Sequence, residues 1–314
     1  MVKFVMMVGL PGSGKSYLSN FYRDVCGYRV HSSDAIREEL SGDENNQDIN
    51  AKVFEVLHNR VKEDLSNGIS CVYDATNINR KKRKHFIQQL NKYNCQKTAI
   101  VVCTPYEVCL QQNNERERKV PIEVIDRMYK NFDIPFYNER WDNIELYYAN
   151  DHYKNAYGHW GQFIYDTLDF DQESIWHKES LGEHCRKCKE YITNNLSNTY
   201  IKFPNELEIS AALHDCGKPF VKDFHDTKGQ VSSHAHYYNH ENVGSYNSLF
   251  YNKESGVDSL LVAALIRWHM ILHFFKDWNK ETIEKYEREF TKTEYLKEFY
   301  KALKLLNKGD KEAH

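Results

Sequence analysis

The sequence has no excess of positive charge and no long apolar run, and each absence narrows its possible functions. Lysine and arginine number 42 against 45 aspartates and glutamates, so the formal net charge is −3 with neutral histidines. A field of positive charge over the whole chain, of the kind that holds nucleic acid nonspecifically, is therefore excluded. Any contact with nucleic acid must come from a local patch. No apolar run approaches the roughly 20 residues of a membrane-spanning helix, so we expect no membrane association.

Export and disulfide signals are also missing. The apolar start runs directly into a glycine-rich loop, which indicates a buried strand and not a signal peptide. Eight scattered cysteines in such a chain predict reduced thiols and a cytoplasmic location. Cys185 and Cys188 form the one close pair. A structural zinc site usually needs a second pair at matching spacing, so two thiols one helical turn apart are favoured over a zinc site.

The length of 314 residues suits two domains better than one core. Residues 1–150 alternate between apolar strand patterns and amphipathic helix patterns, which predicts an α/β domain with a mainly parallel sheet flanked by helices. Aromatic and polar residues crowd 137–172, and 151–175 reads as an interdomain segment. Residues 176–314 show helical periodicity and predict an all-α domain. The expected strands are 3–8, 28–31, 69–73, 98–103 and 144–148, and the expected helices of residues 1–150 include 34–40, 50–67, 80–93, 108–118 and 122–131.

A phosphate-binding loop follows the first strand. The segment Gly9-Leu-Pro-Gly12-Ser-Gly14-Lys15-Ser16 fits G-x-x-x-x-G-K-[ST] at every fixed position. Its glycines let backbone N–H groups surround the β-phosphate, while Lys15 reaches the β- and γ-phosphates and Ser16 ligates Mg²⁺. The loop therefore predicts ATP and Mg²⁺ as cofactors. No N-K-x-D base-reading motif follows within residues 1–150, which argues against a G-protein.

Three later segments predict the acceptor side of a kinase. Asp34 and Arg37 lie one helical turn apart, where a carboxylate can take a hydroxyl proton and a guanidinium can hold an acceptor phosphate; the alternative is a surface ion pair. Asp74 ends a strand and suits either the acceptor hydroxyl or Mg²⁺, and Asn77 suits a phosphate. Arg116 would close over the γ-phosphate as part of a lid; the alternative is a solvated charged face.

In order and spacing, GLPGSGKS, SSDAIR, YDATNINRKKR and RERKVPIEVIDRMY resemble the kinase domain of phage-type 5′-OH polynucleotide kinases over most of residues 1–150. The resemblance implies that Asp34 is the general base, that Arg37 holds the acceptor's 3′-phosphate and that Asp74, Thr76 and Asn77 line the acceptor site. It also assigns donor-phosphate contacts to Arg116. The family often carries another lid arginine where this chain has Gln112, and Arg118 would substitute for it.

Histidines are concentrated in the second half. His214 and Asp215 are adjacent near a predicted helix end, where both side chains can reach one metal. With a His and an Asp from other helices they would form a mixed N/O site suited to Zn²⁺, Mn²⁺, Fe²⁺, Ni²⁺ or Co²⁺. Four other histidines are expected to be ordinary core or surface residues, namely His177, His225, His273 and His314.

The order H…HD…D, with Gly217-Lys218-Pro219 just after the pair, resembles the HD-domain metal-dependent phosphohydrolases from about residue 176 onward. The resemblance implies His184, His214, Asp215 and Asp310 as ligands, with Asp258 as the alternative fourth ligand. It gives Lys218, His240 and His269 phosphate-side or second-metal roles.

The two resemblances together predict a bifunctional enzyme that repairs nucleic-acid ends, with RNA favoured over DNA. One site would phosphorylate a 5′-OH and the other would remove a 2′,3′-cyclic or terminal phosphate, so that an RNA ligase could act next. Three alternatives remain open: a kinase of a nucleoside or small metabolite with an HD nucleotidase, a nucleotide-gated binding module, and an HD domain without activity. The metal, its nuclearity and the oligomeric state are left undetermined by the sequence.

Overall fold

A computed structural model describes residues 1–44 and 46–313 of the chain, so His314 lies outside the described residues. The chain divides into two compact units. The first comprises Met1–Met128 and Pro135–Asn150, and the second comprises Tyr129–Ile134 and Asp151–His314. The segment 151–175, expected as an interdomain segment, is thus counted within the second unit.

The first unit is built on a five-stranded parallel sheet with the order β2-β3-β1-β4-β5. The expected parallel sheet flanked by helices is confirmed. Its strands are β1 (Val2–Val8), β2 (Arg29–Ser32), β3 (Cys71–Asp74), β4 (Cys95–Val102) and β5 (Asn143–Tyr147). Its helices are α1 (Lys15–Asp24), α2 (Ser33–Ser41), α3 (Asn50–Ser66), α4 (Arg80–Gln89), α5 (Tyr106–Glu115) and α6 (Ile122–Lys130), the last ending in the second unit.

Both faces of the central strand β1 are covered, as its unbroken apolar sequence predicts. Val5 and Met7 share a core cluster with Leu18 of α1. Phe4 faces the other side of the sheet, where its ring meets Phe86 of α4 with centroids 5.9 Å apart. Because alternate residues of a strand point to opposite faces, α1 and α4 lie on opposite sides of the sheet. The strand ends between them form one edge.

A fully buried ion pair lies behind that edge. Arg83 of α4 and Glu139 are 1% and 0% exposed, and they share two hydrogen bonds of 2.9 and 2.6 Å. Trp141 Nε1 donates to Glu139, and Arg83 also donates to the carbonyl of Asn77. This bidentate geometry offsets the cost of burying both charges. The pair fixes the loop that follows β3.

The second unit is mostly helical. A two-stranded antiparallel hairpin lies within it, and the expectation of purely helical structure is wrong at this point. Strand Val231–His236 of this hairpin contains two apolar residues, Val231 and Ala235, so its sequence shows little apolar periodicity. The elements are α7 (Gln162–Asp166), α8 (Leu181–Leu196), α9 (Pro204–Leu213), α10 (Lys218–Val221), β6 (Asp223–His225), β7 (Val231–His236), α11 (His240–Asn247), α12 (Ser259–Trp268), α13 (Ile271–Phe274), α14 (Lys280–Glu287) and α15 (Glu294–Glu312).

The core of this unit lies between α8, α9 and α12, which contribute Leu181 and Cys185, Ile209 and Leu213, and Val262 and Ile266. The stretch Ser259–Asp277 is long and apolar enough to cross a membrane by length and composition alone. Eight of the ten residues of α12 are buried against this core. A core helix of a globular unit meets the same composition test.

Gly217 permits the closest backbone approach in the second unit. A Cβ at this position would lie 2.0 Å from the carbonyl oxygen of His240 and 2.6 Å from the nitrogen of Gly244. Only glycine fits there without moving α11. The approach brings the first residue of α11 against the segment that follows α9.

The short insertion Tyr129–Ile134 is held to the rest of the second unit by polar contacts. The Tyr129 hydroxyl donates to Asn247 Oδ1 at 2.6 Å. Arg267 donates to both carboxylate oxygens of Asp133, at 2.9 and 3.2 Å. Burial lowers the pKa of Arg267, but the charges of Asp133 and Glu241 and the hydrogen bonds to Asp133 together outweigh it, so the net shift is upward.

Candidate active sites

The loop between β1 and α1 has the backbone of a phosphate cradle. Gly12 and Gly14 have φ values of 82° and 91°, which favour glycine. At Gly12 a Cβ would also lie 2.2 Å from the carbonyl oxygen of Cys109 in α5. Both the positive φ and the lack of space therefore require glycine at this position. The amide of Gly9 donates to the carbonyl of Thr76, which anchors the start of the loop to the segment after β3.

Lys15, Ser16 and Asp74 meet at the carboxyl edge of the sheet. Lys15 is buried and donates to the carbonyl of Leu10 at 2.7 Å. Burial lowers its pKa, and the charge of Asp74 opposes that shift. Burial raises the pKa of Asp74, whereas Lys15 and a hydrogen bond from Ser16 lower it. A P-loop hydroxyl beside a strand-end aspartate is how P-loop enzymes hold Mg²⁺, so Ser16 and Asp74 fit a magnesium site.

Asp34 stands at the start of α2, directly after β2. Ser32 caps the helix by accepting from the amides of Asp34 and Ala35, as a serine at this position favours. The Asp34 side chain is half exposed, and each of its carboxylate oxygens meets one arginine. Arg37 Nη1 lies 2.7 Å from Oδ1 and Arg118 Nη1 lies 2.7 Å from Oδ2.

The two arginines differ in accessibility. Arg37 is 4% exposed and also donates to the Glu44 carbonyl and to Asn50 Oδ1. In this structure Arg37 orients Asp34, and its contact with an acceptor phosphate stays a prediction. The side chain of Arg118 is 22% exposed and contacts Glu44 as well as Asp34. It therefore borders the open side of the carboxylate.

The predicted lid differs in detail. The sequence predicts Arg116 on a helix. Helix α5 ends at Glu115, however, and Arg116 follows it in extended backbone. Arg116 is exposed, and its charge contributes to lowering the pKa of Lys15, which places it near the phosphate loop. A flexible arginine just past a helix end can reach a bound phosphate without helix movement.

Asn77 has a role beyond the expected one. Its side-chain amide donates to the carbonyl of Met7 at 2.8 Å and of Ala75 at 3.3 Å. The backbone φ of 49° turns the chain so that both contacts form. The amide thus fixes the loop behind the phosphate cradle, and its contact with an acceptor phosphate stays a prediction.

A second site lies in the helical unit, where four predicted ligands converge. His184 comes from α8, His214 and Asp215 follow α9, and Asp310 comes from α15. His184 Nε2 lies 3.1 Å from His214 Nε2, 3.1 Å from Asp310 Oδ1 and 3.5 Å from Asp215 Oδ2. All four residues are buried. Asp310 lies within the last helix of the described chain.

Asp215 is shared by a second group. Its Oδ1 lies 3.2 Å from His240 Nε2 and 3.8 Å from His269 Nε2, and those two nitrogens are 3.3 Å apart. The ligand atoms of each group of three, His184–His214–Asp215 and Asp215–His240–His269, lie within 4.8 Å of one another. One carboxylate thus joins two clusters of buried donors.

The histidine rings are oriented by the backbone three residues earlier. The Nδ1 atoms of His214, His240 and His269 lie 2.8, 2.8 and 2.6 Å from the carbonyl oxygens of Ala211, Tyr237 and Ile266. A carbonyl only accepts, so Nδ1 carries a proton and Nε2 is the ring nitrogen that faces the cluster. Metal-ligating histidines characteristically have such a partner on the other ring nitrogen.

The electrostatics favour a cation at these clusters. Burial disfavours the charge of Asp215, yet Lys218 and His214 hold the pKa of its carboxyl well below the usual range. Burial together with His240 and His214 lowers the pKa of His269 to about 3, which keeps that ring neutral. Ligands at about 2.1 Å from one metal lie roughly 3.0–3.4 Å apart in octahedral or tetrahedral geometry. The donor set therefore fits divalent metals.

Neighbouring residues complete the second site. Lys218 Nζ lies 2.7 Å from Asp215 Oδ2, and it also contacts Gln172 and His177. His273 is expected from the sequence to be an ordinary core or surface residue. In the structure its Nε2 lies 2.9 Å from Asp310 Oδ2 and so orients this ligand. Sequence spacing gave no signal for His177, Gln172 or His273, because the segments that carry them follow no motif.

Two alternatives lose support. Asp258, the alternative fourth ligand, caps α12 by accepting from the amides of Leu260 and Leu261. Cys185 and Cys188 are buried in α8 and belong to neither of the metal-binding groups found among the described residues. These cysteines pack as apolar residues.

Comparison with known proteins bears on the first unit. Residues 4–135 match the sequence model of a family described as an AAA domain. An L-seryl-tRNA(Sec) kinase from Methanococcus maripaludis is 29% identical over 148 residues, or 44% of this chain and 55% of the relative. The chain therefore spans about half the length of that curated relative. The first unit therefore has a P-loop domain similar to those of kinases, and this similarity supports a phosphotransferase activity.

Solved structures resemble the chain more weakly. A chain in the Pnkp1/Rnl/Hen1 RNA repair complex gives a TM-score of 0.38 at 20% identity, over 42% of this chain and 44% of that chain. A gluconokinase from Sinorhizobium meliloti 1021 gives a TM-score of 0.35 at 15% identity, over 47% of this chain and 83% of that chain.

Proposed function

We propose that the protein is a bifunctional enzyme that repairs broken nucleic-acid ends. The first unit transfers the γ-phosphate of ATP to a 5′-OH end, and the second removes a 2′,3′-cyclic or terminal phosphate. The supporting observation is the presence, in one chain, of a carboxylate held between two arginines at a P-loop edge and a buried His/Asp cluster. The first arrangement suits transfer of a phosphate to a hydroxyl group, and the second suits removal of a phosphate by hydrolysis.

In the kinase reaction, Asp34 accepts the proton of the 5′-hydroxyl while the hydroxyl oxygen attacks the γ-phosphorus. The bond between the γ-phosphorus and the bridging oxygen breaks, and ADP leaves with that electron pair. Lys15 and Arg116 offset the charge on the transferring group. Ser16 and Asp74 hold Mg²⁺, while Arg37 keeps Asp34 oriented and Arg118 faces the acceptor.

An RNA acceptor is favoured over a small metabolite by two observations. The kinase relative is named for a substrate in which the hydroxyl is carried by a tRNA. In this chain, Arg80, Lys81 and Lys82 open α4 directly after the acceptor-side loop, and both lysines are exposed. Such a local basic patch can follow a phosphate backbone even though the whole chain is slightly acidic.

The second unit would hydrolyse a phosphoester as HD-domain enzymes do. His184, His214, Asp215 and Asp310 would hold one divalent transition metal, with His240 and His269 available for a second one that shares Asp215. A bound metal supplies Lewis acidity for attack of water on phosphorus. Lys218, fixed by Gln172 and His177, would neutralise charge on the phosphate oxygens. The resulting 3′-OH and 5′-phosphate are the ends that an RNA ligase joins.

The kinase reaction is tested with γ-labelled ATP, Mg²⁺ and a short 5′-OH RNA. We expect label on the RNA, with kcat about 10²–10⁴-fold lower in Asp34→Asn and no detectable transfer in Lys15→Ala. Asp24→Asn, which changes an exposed carboxylate on α1, is the matched control. Label on nucleosides or sugars and none on RNA or DNA would support a metabolite kinase, and ATP binding without transfer would support a nucleotide-gated module.

The hydrolase reaction is tested with an RNA that ends in a 2′,3′-cyclic phosphate, in the presence of Mn²⁺, Ni²⁺ or Co²⁺. We expect conversion to a 3′-OH end and loss of that conversion in Asp215→Asn. Asp169→Asn alters an exposed carboxylate of the same unit and serves as the control. An unchanged end under every metal would assign the second unit a structural role.

A further inference from the structure

A cavity of about 610 Å³ opens beside the metal-binding cluster in the second unit. Asp215, Asp310, Lys218 and His240 line its polar end. Inorganic phosphate and a few waters would occupy only part of this volume, since pockets for whole small molecules span roughly 300–1,000 Å³. The remaining space must accommodate another part of the substrate.

Three exposed aromatic side chains border the remaining space. Trp176, Tyr238 and Phe274 all line the cavity and are 73%, 44% and 43% exposed. They come from three separate segments, namely the loop before α8, the end of β7 and α13. Large apolar side chains that keep this exposure beside a polar site indicate a ligand surface more than a core.

Part of this surface is already stacked. The rings of His236 and Tyr238 lie 5.3 Å apart at an interplanar angle of 7°. Both residues line the cavity, so a pair of parallel rings belongs to its wall. Nucleobases stack on such faces because every base has a π surface.

The wall is fixed by the chain segment before α8. The Ala235 amide donates to the Glu173 carbonyl at 2.8 Å, and Lys222 forms an ion pair with Glu173. The Tyr237 hydroxyl donates to the Gln172 carbonyl, and Gln172 in turn holds Lys218. Hairpin, aromatic wall and phosphate-side lysine are therefore one connected structure, positioned before ligand arrives.

We propose that Trp176, Tyr238 and Phe274 form a nucleobase subsite beside the metal-binding cluster, so that the second unit selects phosphoesters of nucleosides. This inference rests on the proposed hydrolase function and names its substrate class. The phosphate would lie toward Lys218 and the cluster, and the base of the terminal nucleotide would stack in the cavity mouth. A phosphoester without a base would use only half of the site.

The test compares two RNAs that end in a 3′-phosphate, one with a normal terminal nucleotide and one with an abasic terminal ribose. With the metal-loaded protein we expect the KM of the normal end to rise about 10-fold in Trp176→Ala and Tyr238→Ala, since stacking on one base is worth roughly that much. The abasic end should respond less than about 2-fold. Tyr238→Phe keeps the ring and should behave as wild type, and Tyr200→Ala removes an exposed aromatic that does not line this cavity.

A binding measurement separates failure of the subsite from failure of the proposed function. Adenosine 3′-phosphate and glycerol 2-phosphate are titrated into Mn²⁺-loaded protein. If no ester is hydrolysed but the nucleotide binds more tightly through Trp176 and Tyr238, the subsite stands and the hydrolase function fails. If esters are hydrolysed but both RNAs respond equally to both alanine variants, the subsite is wrong and the hydrolase function stands.

Discussion

The two sites of this chain differ in how they hold charge. At the kinase site the central carboxylate, Asp34, is half exposed and is held by arginines from a helix and from the segment after α5. In the helical unit every proposed ligand is buried, and each comes from a helix or the residue next to one. A site that admits a polymer end must keep its reacting groups open, whereas a metal site gains from fixed donors shielded from water. Four measurements test this contrast, from the largest expected effect to the smallest.

The largest effect is expected behind the kinase site. Arg83→Met leaves the Glu139 carboxylate buried without its guanidinium, which should lower the free energy of unfolding by about 3–5 kcal/mol. Urea unfolding, or hydrogen exchange in α4, would measure it. Replacing both partners by apolar residues should recover much of the loss, and Arg60→Met at an exposed pair should change little. Equal effects of Arg83→Met and Arg60→Met would show that burial does not set the cost.

Metal binding should be the next largest effect. Mn²⁺ at about 100 times its dissociation constant should stabilise the protein by roughly 2.7 kcal/mol, and a chelator should reverse this. His184→Gln removes a ligand from the centre of the cluster and should abolish most of the gain. Thermal unfolding together with metal content after dialysis gives both readouts. His225→Gln, at an exposed hairpin position, should retain metal; if it loses as much metal as His184→Gln, the assigned site is wrong.

Arg118 should affect catalysis more than stability. Because its side chain is partly exposed and contacts Asp34 from the open side, Arg118→Ala should lower kcat/KM for the RNA acceptor about 10–100-fold, as expected for one charge-assisted hydrogen bond. The KM for ATP should stay nearly constant. Steady-state kinetics with both substrates varied would measure it, with exposed Lys119→Ala as the control. A change confined to ATP would move Arg118 to the donor side.

The smallest effect is a pH dependence in the first unit. Burial, helped by Lys62 and His85, lowers the pKa of His58 to about 4, and its ring stacks on Phe86 with centroids 4.2 Å apart. In the unfolded chain His58 therefore binds a proton near pH 6.5, whereas in the folded chain it stays neutral until the pH approaches 4. The contribution is complete above pH 6.5 and is lost as pH falls toward 4, by about 1–2 kcal/mol after allowing for partial exposure.

Urea unfolding between pH 7 and pH 4.5 measures this contribution. His58→Phe should flatten that part of the stability profile, while His85→Phe, at an exposed position of α4, should leave most of the slope in place. An unchanged slope in His58→Phe would assign the acid sensitivity to other groups.

The sequence predicted the sheet and the phosphate loop because each follows a local rule. Gly9–Ser16 is contiguous, and each strand–helix alternation shows its own period. Contacts between distant positions could not be read in this way. The side chain of Arg37 donates hydrogen bonds to Glu44 and Asn50. That of Asn77 donates to the carbonyl of Met7, 70 residues away. Motif position indicated these residues correctly as important but did not give the direction of their side chains.

The helical site shows the same division. The pair His214–Asp215 is visible in sequence, but His184 and Asp310 meet across 126 positions, and only the HD resemblance brought them together. His273 and Gln172 act on that site from segments without a recognisable pattern. The hairpin was missed because short polar strands carry little apolar periodicity. Whether such short polar segments form strands depends on tertiary packing.

The insertion Tyr129–Ile134 determines how this protein can be dissected. The chain enters the second unit there, returns to the first at Pro135 and leaves it again after Asn150, so no single cut separates two intact pieces. A fragment that starts at Asp151 would lack the Asp133 carboxylate that accepts from Arg267 and the Tyr129 hydroxyl that donates to Asn247. Its arginine would lose its nearest counter-charge and keep the more distant carboxylate of Glu241, whose Oε1 lies 3.9 Å from Nη1. Anyone wishing to express the helical half alone should therefore graft residues 129–134 back onto it, or mutate Arg267 to an apolar residue.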